Sequence, residues 1–402
     1  VSTASPASRS LSFRTRDSRW RGALAVLQEM RREPGVTRAA VAQRLGLSSG
    51  SATEITARLR ELALLAETPA AASGRGRPTT LLGPHPDGPV VVAVDLRQED
   101  YRCAVAALDG RPEVLEAEAH ADRAAGRAVG TVARAVRHAC DRYGDRVRFV
   151  SVAVAATVRH GRIAQSAALG WDAVDLGALA PHPGVPLLVG NDATLAGVAE
   201  SRYGAAAGTA VALHVTIEVG VGGTLIVDGR PVEGMTGAGG EFGHLPFGDR
   251  GLRCPCGARG CWDLAVDGRA IARHLGDPPP RDPRTYARTA LDRMAEDAAV
   301  RSAVNRVAGD FASGLAGLVN ALDPGVVTLG GLAEPLRAAA APRFAAALRD
   351  GLMRFRRADP PPVVAAALGE DGALHGAAAV ALDRFLTEEG LAAWASARAG
   401  RG

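Results

Sequence analysis

Over the first ninety positions, apolar residues recur at helical spacing in three separate runs. Trp20, Leu24, Leu27 and Met30 form the first stripe, which Glu33-Pro34-Gly35 brings to an end. Thr37 is a good N-cap for a second helix that carries Val41 and Leu45 inward as far as Gly46. Ser48 caps a third helix, with Ala52, Ile55, Leu59 and Leu62 on its buried face. The tight Gly46-Leu47-Ser48 connection makes the second and third helices a helix-turn-helix pattern. Residues 1–17, rich in Ser, Arg and Thr without periodicity, are expected to form a disordered tail.

From Val90 the pattern changes to buried-type strands alternating with alanine-rich helices. Val90–Val94 reads as a strand, followed by the polar stretch Asp95–Asp100, a second strand Tyr101–Leu108, and the turn Asp109-Gly110-Arg111. The same order returns about 120 residues later: Val211–Ile217, a loop at Glu218–Gly223, Thr224–Val227, then Asp228-Gly229-Arg230. A repeated unit of this kind predicts an α/β fold of two homologous lobes with a ligand cleft between them. The expected division is a tail over 1–17, a winged helix-turn-helix over 18–88, and a body over 89–402. Within the body, one lobe takes about 89–205 plus a C-terminal helix, and the other about 206–375.

Composition sharpens this picture. The 402 residues are 47% hydrophobic but only 4% aromatic, so Ala, Val and Leu must fill the cores. Neither a signal-like apolar stretch at Val1–Ser10 nor a membrane-length window is present, so a soluble cytoplasmic protein with no membrane partner is expected. Net charge is +4, and every one of the 47 basic residues is arginine. Residues 1–90 hold 13 Arg against 7 Asp and Glu, a net of +6, which leaves −2 for the rest. A basic head on a mildly acidic body points to a nucleic-acid partner for the head alone.

The third helix opens with small outward residues, Ser49, Gly50 and Thr53, which let the backbone approach base edges. Arg58 and Arg60 follow, placed for phosphates or a guanine edge. Further on, Gly74-Arg75-Gly76-Arg77-Pro78 is a narrow cationic finger suited to an A·T-rich minor groove. A three-helix protein-interaction module with an arginine linker is the other reading. The combination of helix-turn-helix and basic wing favours double-stranded DNA.

Three of the five cysteines, Cys254, Cys256 and Cys261, fall within eight residues, and His244 lies ten residues before the first. Three thiolates and one imidazole form a closed tetrahedral donor set that suits Zn²⁺. Pro255, Gly257 and Gly260 allow the loop to fold back on itself. Chance clustering and a disulfide are the alternatives; nothing in the chain points to an oxidising compartment. Asn191-Asp192 follows the strand Leu187–Val189 and opens the helix Ala193–Glu200, a position that serves either as a cleft site or as an N-cap pair. Glu241, His244 and Asp263 flank the cysteine loop, and the two acids read equally as solvated loop residues. A metal-bound imidazole keeps one ring nitrogen for a ligand hydroxyl.

Taken together, these stretches resemble the ROK family, which takes in repressors, open reading frames and sugar kinases. Gly240-Glu241-Phe242-Gly243-His244 is similar to the family's GE-x-GH element, and Cys254 to Asp263 resembles its C-x-C-G-x-x-G-C-x-E signature. Leu169-Gly170-Trp171, Gly190 to Ala193, Asp323-Pro324, Leu329 to Gly331 and Gly376 to Ala378 also resemble family stretches. The resemblance implies an actin-like, duplicated RNase H-like body, and zinc on His244, Cys254, Cys256 and Cys261. It further implies a sugar held by Asn191, Asp192, Glu241, His244 and the acid at 263. Members with an N-terminal winged helix-turn-helix are transcriptional regulators, mostly repressors, and usually homodimers or homotetramers.

The chain departs from the family at four places. Family kinases carry D-x-G-G-T after the first strand, where this chain reads Asp95-Leu96-Arg97-Gln98-Glu99-Asp100. Glu218 replaces a glycine of the second phosphate loop, although Gly220, Gly222 and Gly223 remain. Ala155-Ala156 stands in place of a Pro-Gly, and Asp263 in place of a glutamate. Side chains and added carboxylates at a phosphate loop are expected to exclude ATP, leaving Asp192 as a vestigial general-base position. The function expected is a DNA-binding regulator, most simply a repressor, answering to a sugar or sugar-derived ligand. An active sugar kinase with an appended DNA module and a zinc- or redox-sensing regulator are the alternatives.

Overall fold

A computed structural model describes residues 7–69, 80–180 and 184–400, with side chains from Trp20 onward. Helix α1 (Ala7–Arg32) opens the chain and buries Trp20, Val26, Leu27 and Met30. Residues 7–17, expected to be disordered for want of an apolar stripe, are instead the first turns of this helix. No Gly or Pro lies between Ala7 and Arg21, and extending an anchored helix is far easier than nucleating one. Residues 1–6 lie outside the described residues.

Helix α2 (Arg38–Arg44) starts beneath Thr37, whose hydroxyl accepts the Ala40 N–H at 3.0 Å. Helix α3 (Ser49–Glu61) starts beneath Ser48, which accepts the Ser51 N–H at 3.0 Å. Strands β1 (Leu65–Pro69) and β2 (Thr80–Pro84) follow as an antiparallel hairpin. The hairpin is hooked to the entry of α2: Thr37 bridges to Leu81, and the Leu82 N–H donates to the Val36 carbonyl at 2.9 Å. Three helices and a two-stranded hairpin thus make up this part of the chain. The stretch expected to form the wing finger, with Arg75 and Arg77, falls within 70–79, outside the described residues.

The first lobe contains β3 (Val90–Leu96), β4 (Asp100–Ala106), β5 (Pro112–Ala119), α4 (Ala125–Tyr143), β6 (Val147–Val154), the small strands β7 (Thr157–Arg159), β8 (Arg162–Ser166) and β9 (Trp171–Asp172), then β10 (Leu187–Asn191) and α5 (Asp192–Tyr203). Its main sheet is ordered β10-β6-β3-β4-β5. The second lobe contains β11 (Val211–Glu218), β12 (Gly220–Val227), β13 (Arg230–Pro231), α6 (Gly268–Leu275), α7 (Pro283–Arg293), α8 (Ala298–Leu322), β14 (Val326–Gly331), α9 (Ala333–Ala339), α10 (Ala341–Gly351), α11 (Arg354–Ala358) and β15 (Val363–Ala365). Its sheet runs β13-β12-β11-β14-β15, the same order when the first sheet is read from its β5 edge. In each lobe an antiparallel meander is extended by two parallel strands, so the duplication expected from the repeated pattern is present.

Strand β3 is buried along its whole length because both of its faces are covered. Val90, Val92 and Val94 pack with the α4 side, while Val91 and Ala93 pack with α12 (Gly372–Phe385), which returns from the second lobe to the first. Strand β12 begins at Gly220, earlier than the alternation at Thr224 predicts. A Cβ at Gly222 would lie 2.6 Å from that of Ala193, and one at Gly223 would lie 2.7 Å from the His214 carbonyl. These glycines sit inside a strand because α5 and β11 press against it.

The chain ends in α13 (Glu388–Ala399), an element with no readable stripe in the sequence. It closes the joint between head and body: Leu391 and Trp394 share one hydrophobic cluster with Trp20, Val26, Leu27 and Met30. The Trp394 indole N–H donates to the Leu62 carbonyl at 2.7 Å. No helix among the described residues is long and apolar enough to cross a membrane.

Candidate ligand cleft and metal centre

Beyond β13, a loop of the second lobe carries Glu241 and His244, and the next loop carries the three cysteines. The Gly257 N–H donates to the Cys254 carbonyl at 2.9 Å, closing a turn in which Gly257 has φ +99°. The Cys254 N–H donates to the Ala258 carbonyl at 2.9 Å, and Gly260, at φ +74°, turns the chain toward Cys261. The four donor atoms of His244, Cys254, Cys256 and Cys261 all lie within 4.8 Å of one another. Cys254 Sγ is 3.9 Å from His244 Nδ1, and Cys256 Sγ is 3.6 Å from Cys261 Sγ. A tetrahedron with bonds of about 2.3 Å has edges of about 3.8 Å, so the donors present fit one Zn²⁺ in both chemistry and spacing. His244 Nδ1 faces the sulfurs, whereas Nε2 lies 3.8 Å from Glu241 Oε2 on the side of the cleft.

That cleft lies between the lobes and holds a cavity of about 170 Å³, lined among others by Asn191, Asp192, Glu241, His244 and Asp263. The five sequence-selected residues therefore converge. Their side chains are not equally available. Asn191 caps α5: its Oδ1 accepts the Thr194 N–H at 2.9 Å, and its Nδ2 donates to the Ala156 carbonyl at 3.1 Å. Asp263 is buried and accepts the Val221 N–H at 2.6 Å, bracing the turn at Gly220. Asp192, at the first turn of α5, accepts the N–H of its neighbour Ala193 at 2.8 Å. Burial pushes its carboxyl up to about 6, helped by repulsion from Asp95 and Glu241.

The two segments expected from the sequence to stand at phosphate-loop positions carry ion pairs. Asp95, at the end of β3, is held by Arg97 Nε at 2.7 Å and Arg102 Nη2 at 2.9 Å. Both arginines donate to the Glu370 carbonyl, at 2.9 and 2.6 Å, and Arg102 also pairs with Asp371. From the second lobe, Arg284 pairs with Glu218 at 2.8 Å and with the Glu370 carboxylate at 2.8 Å, and Arg288 joins Glu370 too. A Cβ on Gly331 would lie 2.6 Å from Glu218 Oε1, so the Glu218 carboxylate rests on that glycine. Burial pushes Glu218 up to about 7, against the pull of Arg284 and Arg97. None of these partners beyond Asp95, Arg97 and Glu218 was singled out from the sequence, because they are up to 273 residues apart.

Two further polar residues of the cleft wall were also missed. Glu200, on α5, accepts the N–H groups of Ala205, Ala367 and Leu368 at 2.8, 3.0 and 2.8 Å, clasping the crossover between the lobes. His214 is buried, its Nδ1 is 2.9 Å from the Thr328 hydroxyl, and burial pushes it down to about 4.

On the head, Ser49, Gly50, Thr53 and Arg60 are exposed at α3. Arg58 differs from the sequence expectation. Its guanidinium stacks 4.9 Å over the Trp20 ring and so is drawn toward α1 rather than standing outward.

Comparison with known proteins agrees with this architecture. The ROK family profile matches residues 91–384, and the chain belongs to the ROK family. It is 36% identical over 91 residues to a glucokinase of Streptomyces coelicolor (strain ATCC BAA-471 / A3(2) / M145), covering 23% of this chain and 29% of that one. It is 31% identical over 106 residues to the xylose repressor of Bacillus subtilis (strain 168), covering 26% of this chain and 28% of that one. The chain thus spans less than a third of the length of these two relatives. Among solved structures, a ROK family transcriptional regulator described as a homologue of the E. coli MLC protein superposes with a TM-score of 0.70 at 21% identity, over 94% of this chain and 99% of that one. At that identity the likeness concerns the fold, which includes the head as well as the body.

Proposed function

We propose that the protein is a DNA-binding transcription regulator, most simply a repressor, whose operator affinity is set by a sugar or sugar-derived ligand in a non-catalytic cleft. The observation that carries this reading is the ion-pair network of Asp95, Arg97, Arg102, Glu218 and Arg284 where a kinase would need open, glycine-lined loops. A triphosphate entering there would meet carboxylates and would have to break these pairs. The xylose repressor relative and the regulator-like fold favour the same class.

In this reading Asp192 from the first lobe and Glu241 from the second accept hydrogen bonds from ligand hydroxyls, and His244 Nε2, also from the second lobe, donates one. Asn191 holds the start of α5, and Asp263 the Gly220 turn, so both position the pocket more than they touch its occupant. His244, Cys254, Cys256 and Cys261 would hold Zn²⁺, which supplies a structural crosslink when bound. Ser49, Gly50, Thr53 and Arg60 face DNA, with Arg75 and Arg77 of the wing reaching the minor groove. Two copies in the cytoplasm would grip a palindromic operator, and ligand would favour one spacing of the heads. A hundredfold change in operator affinity needs a difference of about 2.7 kcal/mol between the two states.

A second reading, an active sugar kinase carrying a DNA module, draws on the glucokinase relative and on the buried Asp192 carboxyl. Coupled detection of ADP against a panel of hexoses separates the two. Background rates support the regulator; sustained turnover supports the kinase and removes the first reading.

A further inference from the structure

Away from the cleft, α1 of the head meets the ends of α5 and α12 around an open surface depression of about 410 Å³. Gln28, Arg31, Arg32, Arg202, Tyr203 and Asp383 line it. Three guanidinium groups face one carboxylate, a net of +2. Asp383 is shared: Arg31 reaches it at 3.0 Å, and Arg202 also pairs with it. Arg32 is three-quarters exposed, and its recorded acidic partner, Glu29, is 3.9 Å away.

Arg31 is the telling residue. It is only 8% exposed, and its terminal nitrogens donate to Asp383, to the Tyr203 hydroxyl at 2.9 Å and to the Ala379 carbonyl at 3.5 Å. Its Nε–H has no acceptor among the described residues. Tyr203 accepts from Arg31 and so keeps its own hydroxyl proton for another acceptor.

We propose that this joint is a binding site for a small oxyanion of the phosphate class, held by Arg32, Arg202 and the Tyr203 hydroxyl, with Arg31 behind them fixing Tyr203 and Asp383. Planar guanidinium forks match phosphate oxygens in pairs, and a tetrahedral anion presents enough lone pairs to serve several donors. The occupant bridges head and body, because Arg32 belongs to α1 while Arg202 and Tyr203 belong to α5. It tightens the setting of the head without entering the interlobe cleft. Free phosphate and a phosphomonoester metabolite share this chemistry. The site depends neither on a sugar in the cleft nor on any reading of DNA binding.

The test is isothermal titration of the full chain with inorganic phosphate and, separately, glycerol 3-phosphate, against chloride at matched ionic strength. The expected result is saturable one-to-one binding, weakened about 3-fold by Arg32→Gln and about 10-fold by Arg202→Gln. Tighter binding of the ester assigns the site to a metabolite; equal binding assigns it to phosphate itself. Melting curves check that both variants fold, and the exposed Arg32→Gln carries the test if Arg202→Gln does not. Absence of saturable binding by the unaltered chain, or affinity unchanged in every folded variant, overturns the proposal.

Discussion

The Arg31 guanidinium donates to the Tyr203 hydroxyl at 2.9 Å across 172 positions of sequence. Tyr203 closes the last turn of α5, and Asp192 opens its first, about 17 Å away along a single rigid helix. Head and cleft therefore share one element, and α12 clamps its flank: a Cβ at Gly376 would lie 2.0 Å from the Leu195 carbonyl.

Tyr203→Phe removes that hydrogen bond and leaves the buried Arg31 with one donor fewer satisfied. The expected loss is about 1–2 kcal/mol in urea unfolding followed by intrinsic fluorescence. The same variant is expected to bind operator but to answer less to the cleft ligand, read by fluorescence anisotropy with and without it.

Among the five cysteines, Cys103 and Cys140 are buried and their thiols are pushed up to about 12 and about 11, chiefly by desolvation. They are poor nucleophiles at neutral pH. The zinc-loaded chain is therefore expected to show no rapid reaction with DTNB. Chelation is expected to expose three thiols, those of Cys254, Cys256 and Cys261, and to lower the melting temperature. Cys256→Ser should bring the metal content, by elemental analysis, below one per chain. Five thiols reacting at one rate would contradict the assignment.

His214 gives a pH dependence with a definite sign. Burial lowers it from 6.5 to about 4, so the folded chain binds fewer protons there than the unfolded chain between those values. Its contribution to stability is complete above pH 6.5 and is lost as pH falls toward 4. Glu218, raised from 4.5 to about 7, acts in the opposite direction, its contribution being lost as pH rises through that window. His214→Gln should flatten the acid limb of the stability profile relative to the unaltered chain, measured by urea unfolding at pH 7, 6 and 5. An unchanged difference between the two proteins across that range would rule the residue out.

What could be read from the chain beforehand follows from how local each cause is. Thr37 and Ser48 act within three residues, so both caps were legible, as was the cysteine loop, whose three sulfurs sit within eight residues of one another. The duplicated strands were legible because buried sheets repeat their apolar runs. Arg97 and Glu370 were not, since only the fold brings residues 273 positions apart together. Arg58 looked outward by helical phase, but a neighbouring helix offers it the Trp20 ring. Helix α13 carries few large apolar residues, and its burial of Leu391 and Trp394 is decided by the head it packs against. Asn191 was open between cap and ligand; the Thr194 and Ala156 contacts favour the cap.

The central claim is that the cleft governs the grip of the head on duplex DNA. The direct measurement is a titration of the full chain against duplex from upstream of its own gene, at low and physiological salt, with and without a sugar ligand chosen by thermal-shift screening. The account predicts specific binding that weakens steeply with salt and a ligand-dependent change in affinity of at least about tenfold. Failure to hold any upstream duplex even at low salt, or binding that no cleft ligand alters, would contradict it.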